Sequence, residues 1–209
     1  HLYYEKHDKE NVKIKSKFTN NDLTDLAHST YEKMNKDLRK VTIDGFILTK
    51  KSPSCGIDRV KTILKDNPGT TKTSTGLFAK NIIENYPFTP AIDSGRIINK
   101  QMRENYIKSI FAHFRLRTMK REINEFQKFH QQYKYILMDH SAAQLKKLGK
   151  IVANTNSDNY DESFKEYHKL FFETMKIIPT ANTRHNTLQH LMGYFKKHLD
   201  SEEKQDVLT

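Results

Sequence analysis

The hydrophobic pattern of the chain changes near residue 100. Before that point, segments with helical periodicity alternate with short apolar runs of the kind that form buried strands. The helical segments span residues 20–40 and 74–87, and the apolar runs span residues 43–50, 59–64 and 88–97. A polar stretch rich in glycine, proline and threonine, residues 66–76, predicts a loop. Alternating helices and strands predict an α/β domain with a partial, largely parallel sheet, which we assign to residues 1–99.

From residue 100 onward the pattern is helical only. Apolar residues recur three and four positions apart, and no proline occurs between Pro90 and Pro179. Gly149 predicts the end of a helix that begins near Ile123. We therefore predict that residues 100–209 form a helical domain of four or five helices, so that the fold is α/β followed by all-α.

The chain carries a net positive charge, which bears on the kind of partner it could bind. The chain has 36 Lys and Arg against 25 Asp and Glu, a formal net charge of +11, and its sequence pI is about 9.5. The excess is evenly divided, with 17 against 12 before residue 100 and 19 against 13 after it. A pI above about 9 is typical of a nucleic-acid binder, although lysines scattered over solvated faces give the same value. Charge alone leaves both interpretations open.

Features that the sequence lacks bear on its location. It has no run of about 18 apolar residues that would cross a membrane, and its polar start does not resemble a signal peptide. Its single cysteine cannot form an internal disulfide. These features favour a cytoplasmic protein without a membrane partner. Because the chain starts without methionine and ends within a helical pattern, we expect a fragment, a mature piece or an ordered part of something longer.

The one cysteine, Cys55, lies in a constrained turn. It follows the predicted strand 43–50 within the run Ser-Pro-Ser-Cys-Gly, residues 52–56. Open α/β sheets place their functional sites in the loops that follow strands. Three interpretations remain open from position alone: an inert buried thiol, a nucleophile activated by nearby basic residues, or one ligand of a metal site.

Several stretches carry a resemblance to known domains. The stretches "GFILTKKSPSCGIDRVK" and "GLFAKNIIENYPFTPAIDSGRIINKQMRENYI" resemble the C-terminal half of the thiouracil-desulfurase-like (TudS-type) domain. The stretches "YIKSIFAHFRL", "FQKFHQQYKYILMDHS" and "NTLQHLMGYFKKHLDSEEK" resemble the YbgA-like helical domain that often follows it. The resemblance covers residues 40–209 in the same order and places the domain joint near Lys100.

This resemblance implies a chemistry and a site. The two-domain members of the family look like iron–sulfur enzymes that remove sulfur from 4-thiouridine in tRNA, with the helical domain binding the tRNA. In such members three cysteines of the first domain hold a 4Fe-4S cluster. Cys55 matches the third of these ligands, and Ser52 matches a serine implicated in catalysis. The resemblance therefore implies that Cys55 is the metal and cofactor ligand and that Ser52 is a catalytic residue.

The chain departs from the family at the other two cluster ligands. The family has one more cysteine in a "CLxG" stretch and another in a "CPE" stretch, both upstream with its catalytic acid, and neither stretch is present in these 209 residues. A 4Fe-4S cluster needs three or four thiolates, so we expect this chain alone to hold no cluster and to be inactive. On this interpretation the chain is a fragment of an iron–sulfur-dependent enzyme that removes sulfur from 4-thiouridine in tRNA. The alternatives are a catalytically inactive basic RNA-binding module and a nucleic-acid-associated protein of unsettled role.

Basic residues of the helical domain are the candidates for RNA contact. They are Arg115, Arg117, Lys120, Arg121, Lys128, Lys134, Lys146, Lys147, Lys196 and Lys197. Interleaved Tyr and Phe suit phosphate contacts with some base stacking, so tRNA or another structured RNA is the expected partner. The competing interpretation is a solvated basic face around core aromatics. The aromatic residues for which we favour a core position are Phe111, Phe114, Phe164 and Phe171.

Seven of the ten histidines also fall in the helical domain. Four of them lie in the motifs quoted above or beside them: His130, His140, His185 and His190. No HExxH motif and no pair at positions i and i+4 is present among these four, which disfavours a metal site. We expect hydrogen-bonded packing between helices, or a polar pocket on an RNA-binding face.

Overall fold

The structure is a computed structural model that describes residues 2–6, 12–64, 70–195 and 200–206. By its internal contacts the chain divides into two compact units, His1–His113 and Phe114–Thr209. The first unit combines strands and helices and the second is helical, which confirms the predicted order of α/β followed by all-α. The predicted joint near Lys100 coincides with the start of a helix, and the boundary itself stays a prediction.

Six strands form two small sheets in the described part of the first unit. They are β1 (Leu2–Lys6), β2 (Val12–Ser16), β3 (Phe46–Leu48), β4 (Val60–Leu64), β5 (Thr70–Ser74) and β6 (Ala91–Asp93). Four of them pair in the order β2-β1-β4-β5, and only the β1–β4 pair of this sheet is parallel. Strands β3 and β6 form a separate parallel pair, with Ile47 opposite Ile92. The candidate site lies at the end of this pair.

Two helices cover the core of the first unit. They are α1 (Thr24–Leu38) and α2 (Leu77–Asn85), and a single 3₁₀ turn, Arg96–Ile98, follows β6. The side chains buried between these elements are Tyr31, Leu48, Phe78, Ala79 and Ile82. The rings of Tyr31 and Phe78 lie 5.1 Å apart between their centroids. Because Cys55 also packs against this cluster, the core supports the cysteine turn directly.

Five helices follow in the described part of the chain, within the predicted number. They are α3 (Lys100–Thr118), α4 (Ile123–Ala153), α5 (Tyr160–Met175), α6 (Ala181–Phe195) and α7 (Ser201–Asp206). Helix α4 packs on α5 and α6. Its aromatic residues Phe126 and Phe129 meet Tyr167 and Phe171 of α5 in a fully or nearly fully buried cluster. Within the described residues, every helix is too short or too polar to span a lipid bilayer.

Two predicted element boundaries were wrong. Strand β5 occupies part of the stretch predicted as a loop, because its threonines are β-branched and pair with β4 despite their polarity. Helix α4 also continues through Gly149 to Ala153. The interruption occurs instead at Ser141, which has the non-helical angles φ −166° and ψ 110°. The Ser141 hydroxyl accepts a hydrogen bond from the Gln144 amide at 3.3 Å, so it caps the second segment of α4.

Two of the four aromatic residues predicted to be core residues lie on the surface. Phe164 and Phe171 are buried as predicted, but Phe111 is 57% exposed and Phe114 is 47% exposed. The buried positions of α3 are Tyr106, Ser109, Ala112, His113 and Leu116. These positions form a stripe of their own at helical spacing, and both phenylalanines fall outside it. Periodicity alone did not show which side of α3 would be covered.

Candidate active site and basic surface

The cysteine turn lies where the two parallel strands end. Strands β3 and β6 run in the same direction, so the connections that follow them leave from the same edge. Two hydrogen bonds join these connections: the Ser94 amide donates to the Leu48 carbonyl at 2.8 Å, and the Lys50 amide donates to the Ser94 hydroxyl at 3.1 Å. The position of the turn therefore follows from the pairing of the strands.

Ser52 organises the backbone of the turn. Its Oγ accepts hydrogen bonds from the amides of Ser54 and Cys55, both at 3.2 Å, and its carbonyl accepts one from the Gly56 amide at 2.8 Å. The chain enters the turn through Lys51, a non-glycine residue with a φ of 58°. A left-handed conformation of this kind costs on the order of 1–2 kcal/mol for a residue with a Cβ. The hydrogen bonds of Ser52 hold the turn closed against this cost.

The turn is packed against the start of α2. The amides of Leu77 and Ala79 donate to the carbonyls of Pro53 and Ser54 at 3.2 and 3.1 Å, so backbone oxygens of the turn satisfy the first amides of the helix. Gly76 makes this approach possible, because a Cβ at that position would lie 2.3 Å from the Ser54 carbonyl oxygen. The turn and α2 are therefore one structural unit.

The Cys55 thiol is half-buried beside polar neighbours. Its Sγ donates a weak hydrogen bond to the Ser54 hydroxyl at 3.7 Å, and that hydroxyl lies 2.8 Å from the phenolic oxygen of Tyr31. The inner side of the cysteine packs on the apolar core. A thiol held in this way is oriented by the fold, and its accessible side leaves room for a ligand or a reagent.

A charged cluster that the sequence analysis did not identify lies beside the turn. Asp93, the last residue of β6, is buried and accepts hydrogen bonds from the amides of Gly95 and Arg96 at 2.8 and 2.9 Å. The Arg96 guanidinium lies 3.0 Å from the Asp93 carboxylate and also pairs with Asp58, which raises the pKa of Arg96. This pairing joins the segment after Cys55 to the segment after β6. The signal in the sequence was an aspartate at the end of a short apolar run, within "AIDSGR".

The turn offers one thiol as a possible metal ligand. Among the described residues, no group of three or more His, Cys, Asp and Glu side chains is arranged to hold a metal ion. Cys55 is the one cysteine of all 209 residues. A four-iron cluster requires three or four thiolates, so the residues of this chain do not fit that group by themselves.

The predicted RNA-binding residues are divided along the helical segments. Arg115 and Arg117 lie in the last turn of α3, and Lys120 and Arg121 lie in the short connection to α4; all four are exposed. We call residues 115–121 the basic run, because it has four cations and no acidic residue. It is the largest group of predicted contacts within one short stretch of the chain.

The remaining predicted contacts lie elsewhere. Lys128 forms an ion pair with Glu125 at 2.7 Å, which offsets its charge. Lys134 lies 5.4 Å from the centre of the Tyr135 ring. Lys146 and Lys147 are exposed on the second segment of α4, beyond Ser141. Lys196 and Lys197 lie outside the described residues.

Two of the four histidines support helix packing. The His130 Nδ1 lies 3.2 Å from the Tyr167 hydroxyl, and burial lowers the pKa of His130. His140 is almost fully buried and bonds through Nδ1 to the carbonyl of Ile177. His185 and His190 are exposed on α6. The predicted packing role therefore applies to His130 and His140.

Comparison with known proteins matches both halves of the chain. Residues 2–94 match the family 2-thiouracil desulfurase, and residues 134–209 match the family described as protein of unknown function (DUF1722). Over 80 residues the chain is 30% identical to the "Uncharacterized protein YbgA" of Escherichia coli (strain K12). The chain combines a 2-thiouracil desulfurase-like domain with a YbgA-like helical domain. No solved structure matches it.

The matched ranges place the candidate residues within this two-domain arrangement. The alignment with YbgA covers 38% of the chain and 47% of YbgA, so the chain spans about half the length of this curated relative. Ser52 and Cys55 lie within the desulfurase-like domain, and Lys134, Lys146 and Lys147 lie within the YbgA-like match. The basic run lies between the two matched ranges.

Proposed function

We propose that the chain is part of an enzyme that removes sulfur from 4-thiouridine in tRNA, with the helical domain binding the RNA. The observation that carries the proposal is the cysteine turn. The one thiol of the chain follows a strand of the parallel pair, within the region that matches 2-thiouracil desulfurase. Sulfur removal is the coarse activity that this domain supports. The tRNA substrate, the cluster and the RNA contact are the finer parts of the proposal.

In this proposal Cys55 contributes one thiolate to a 4Fe-4S cluster. The accessible side of its thiol and its fixed orientation suit a ligand. Because these 209 residues contain one cysteine, two further thiolates would have to come from polypeptide outside them. The cluster, when bound, would supply an iron that takes up the sulfur of the substrate.

Ser52 is proposed to hold a proton beside the substrate. A serine hydroxyl has two acceptor lone pairs and one donor hydrogen. Both acceptor positions of Ser52 are used by the amides of Ser54 and Cys55. The hydroxyl hydrogen is therefore directed away from those amides, where it can donate to a substrate atom. Through these bonds Ser52 both positions Cys55 and presents a donor next to it.

The RNA part of the proposal rests on the charge of the helical domain. The basic run contains four exposed cations in seven residues. Each cation that neutralises a phosphate releases a counterion, which favours binding to RNA at low salt. The exposed aromatic residue Phe114 directly precedes this run. Cationic and aromatic side chains together are typical of surfaces that contact single-stranded nucleic acid.

A catalytically inactive RNA-binding module is the second candidate, because the chain has one thiol where the cluster needs three. Reading the gene upstream of His1 separates the two candidates. An in-frame "CLxG" and "CPE" would favour the enzyme, whereas a start codon close to His1 would favour the module. The third candidate is a nucleic-acid-associated protein with another role. Binding of RNA without release of sulfur from it would favour this candidate.

The cluster can be tested on a polypeptide that includes both upstream cysteine motifs, purified without oxygen. We expect a brown protein with broad absorbance near about 400 nm, and we expect Cys55→Ala to be colourless, since the loss of one of three thiolates removes the chelate. Loss of the thiocarbonyl absorbance of 4-thiouridine in tRNA measures the reaction. A polypeptide that stays colourless after reconstitution with iron and sulfide would exclude the cluster.

A further inference from the structure

Three arginines of the basic run lie over aromatic rings. The distances from guanidinium carbon to ring centre are 5.9 Å for Arg115 over Tyr133, 5.5 Å for Arg117 over Phe114 and 4.0 Å for Arg121 over Phe164. Each distance is within the range of a cation–π contact. We call these three pairs the arginine–aromatic run. All six residues belong to the second unit.

Two of the three rings are rigid supports. Tyr133 is 2% exposed and stacks on Phe129 at 4.6 Å, and Phe164 is 7% exposed and stacks on Tyr160 at 6.0 Å. Arg115 is held further by a hydrogen bond from its Nη1 to the Tyr133 hydroxyl at 3.4 Å. The arginine side chains themselves are exposed. The buried rings of Tyr133 and Phe164 therefore support two of the planar groups, while the arginine side chains that carry them stay exposed.

Two of the three arginines, Arg115 and Arg121, lack a carboxylate partner within 4 Å among the described residues. The run contains no acidic residue. A guanidinium that already rests on one ring can accept a second flat ring on its opposite face and can donate several N–H bonds to a phosphate. Nucleotides combine a flat ring with a phosphate.

We propose that the arginine–aromatic run binds unpaired nucleotides. This inference rests on the RNA partner of the proposed function. The bases stack on the outer faces of the guanidinium groups, and the flanking phosphates accept their N–H bonds. Unpaired bases are required because bases within a duplex stack on one another and the deep groove of A-form RNA is closed to side chains. The ordered supports lower the entropy lost when the arginines bind.

The test replaces guanidinium planes without changing the charge. The triple variant Arg115→Lys, Arg117→Lys, Arg121→Lys keeps three cations but loses the planar groups. The probes are a single-stranded oligouridylate and a blunt RNA duplex of equal length. We expect the triple variant to bind the oligouridylate at least about tenfold more weakly, with the same salt dependence, and to bind the duplex almost as the wild type does.

Two further variants keep the test independent of folding. Arg184→Lys, at an exposed arginine of α6, is the matched control and should change neither affinity. Phe114→Ala removes an exposed ring from beneath Arg117, so it should leave the fold intact and weaken oligouridylate binding alone. Thermal unfolding monitors each variant. If the triple variant does not fold, the Phe114→Ala result decides.

Several results would overturn the inference. The triple variant and Phe114→Ala could both bind the two probes with wild-type affinity. The arginines would then contribute only their charge, and the inference of base stacking would be wrong. The proposed RNA partner would not be affected. Equal losses for duplex and oligouridylate would exclude base stacking. Competition by polyglutamate as strong as that by oligouridylate would favour an acidic protein, and a wild-type dimer that the triple variant dissociates would favour a second copy. Absence of any salt-dependent RNA binding by the wild type would instead remove the proposed RNA partner.

Discussion

Ser52 has two roles at the residue scale that one substitution would disturb together. Its Oγ holds the amides of Ser54 and Cys55, and its hydrogen is the donor proposed to face the substrate. Cys55 in turn depends on Ser54 and Tyr31 for its polar surroundings. A mutation at Ser52 therefore changes the geometry of the turn as well as the chemistry of the site.

For the enzyme that includes both upstream cysteine motifs, we expect Ser52→Ala to keep the brown colour and to lose desulfuration by roughly 10²-fold or more, because a positioned proton donor is lost. Ser52→Thr retains a hydroxyl and serves as the matched control, so it should recover much of the rate. Sulfide release from thiolated tRNA provides the measurement. Full activity of the Ser52→Ala enzyme would reduce Ser52 to a turn residue.

The residues of the site were predictable from the sequence to different extents. Ser52 and Cys55 could be identified because they are close in the chain and carry a resemblance to a known motif. The cluster of Asp58, Asp93 and Arg96 could not, because its members are up to 38 residues apart and meet only when β3 pairs with β6. Pairing of that kind depends on the fold, and no local pattern records it.

At the scale of elements, the cysteine turn and α2 form one unit. Carbonyls of the turn accept hydrogen bonds from the first amides of α2, and Gly76 allows the two to approach closely. A helix start is usually capped by a side chain, but the N-cap position of α2 is Gly76, which has none. The turn therefore serves as the cap of α2.

We expect Gly76→Ala to destabilise the protein by about 1–3 kcal/mol, because the added Cβ meets the backbone of Ser54 and one of the two must move. The midpoint of denaturant unfolding measures this change. Alkylation of Cys55, the one cysteine, reports on the turn and should become faster.

The matched control for this substitution is Gly193→Ala in α6. A Cβ added there meets no atom within 4 Å, so the usual helix preference for alanine should stabilise the protein by about 0.5–1 kcal/mol. Equal effects of the two substitutions, or an unchanged alkylation rate in Gly76→Ala, would contradict the coupling between the turn and α2.

Helices were more predictable than strands or surfaces. Periodicity located α1 to α6, because apolar residues recur three to four positions apart in each of these segments. Strands β1, β2 and β5 were not predicted, since their pairing depends on partner strands elsewhere in the chain. The exposure of Phe111 and Phe114 was missed for a related reason: an amphipathic pattern shows that a side of a helix is apolar, but the neighbouring elements decide which residues are covered.

At the scale of the whole molecule, the net charge of +11 should make the affinity for RNA depend on salt concentration. If about four to six phosphates are neutralised, log affinity for tRNA against log salt should have a slope of about −3 to −5. Charge reversal at the four cations of the basic run should weaken binding and flatten the slope together, because each lost contact releases one counterion fewer. Titrations over a range of salt concentrations measure both quantities.

The control for this experiment reverses four exposed lysines of the first unit, Lys17, Lys33, Lys36 and Lys61. It makes the same change in net charge, so a smaller loss of affinity would assign the binding to the helical domain. Folded tRNA should also bind more tightly than an unstructured RNA of equal length. Equal losses in the two reversed proteins would leave only the general attraction of a basic protein for RNA.

The contacts of the cysteine turn determine whether it could be studied as a peptide. A peptide of residues 46–60 would contain the thiol and the Ser52 hydrogen bonds but not Tyr31, which lies 23 residues before Ser54. It would also lack the amides of Leu77 and Ala79 that the turn carbonyls bind. Unlike a zinc-finger sequence, which carries all of its ligands in one short segment, this turn is not a portable motif. Iron affinities measured on such a peptide would describe a different thiol from the one that the folded chain presents.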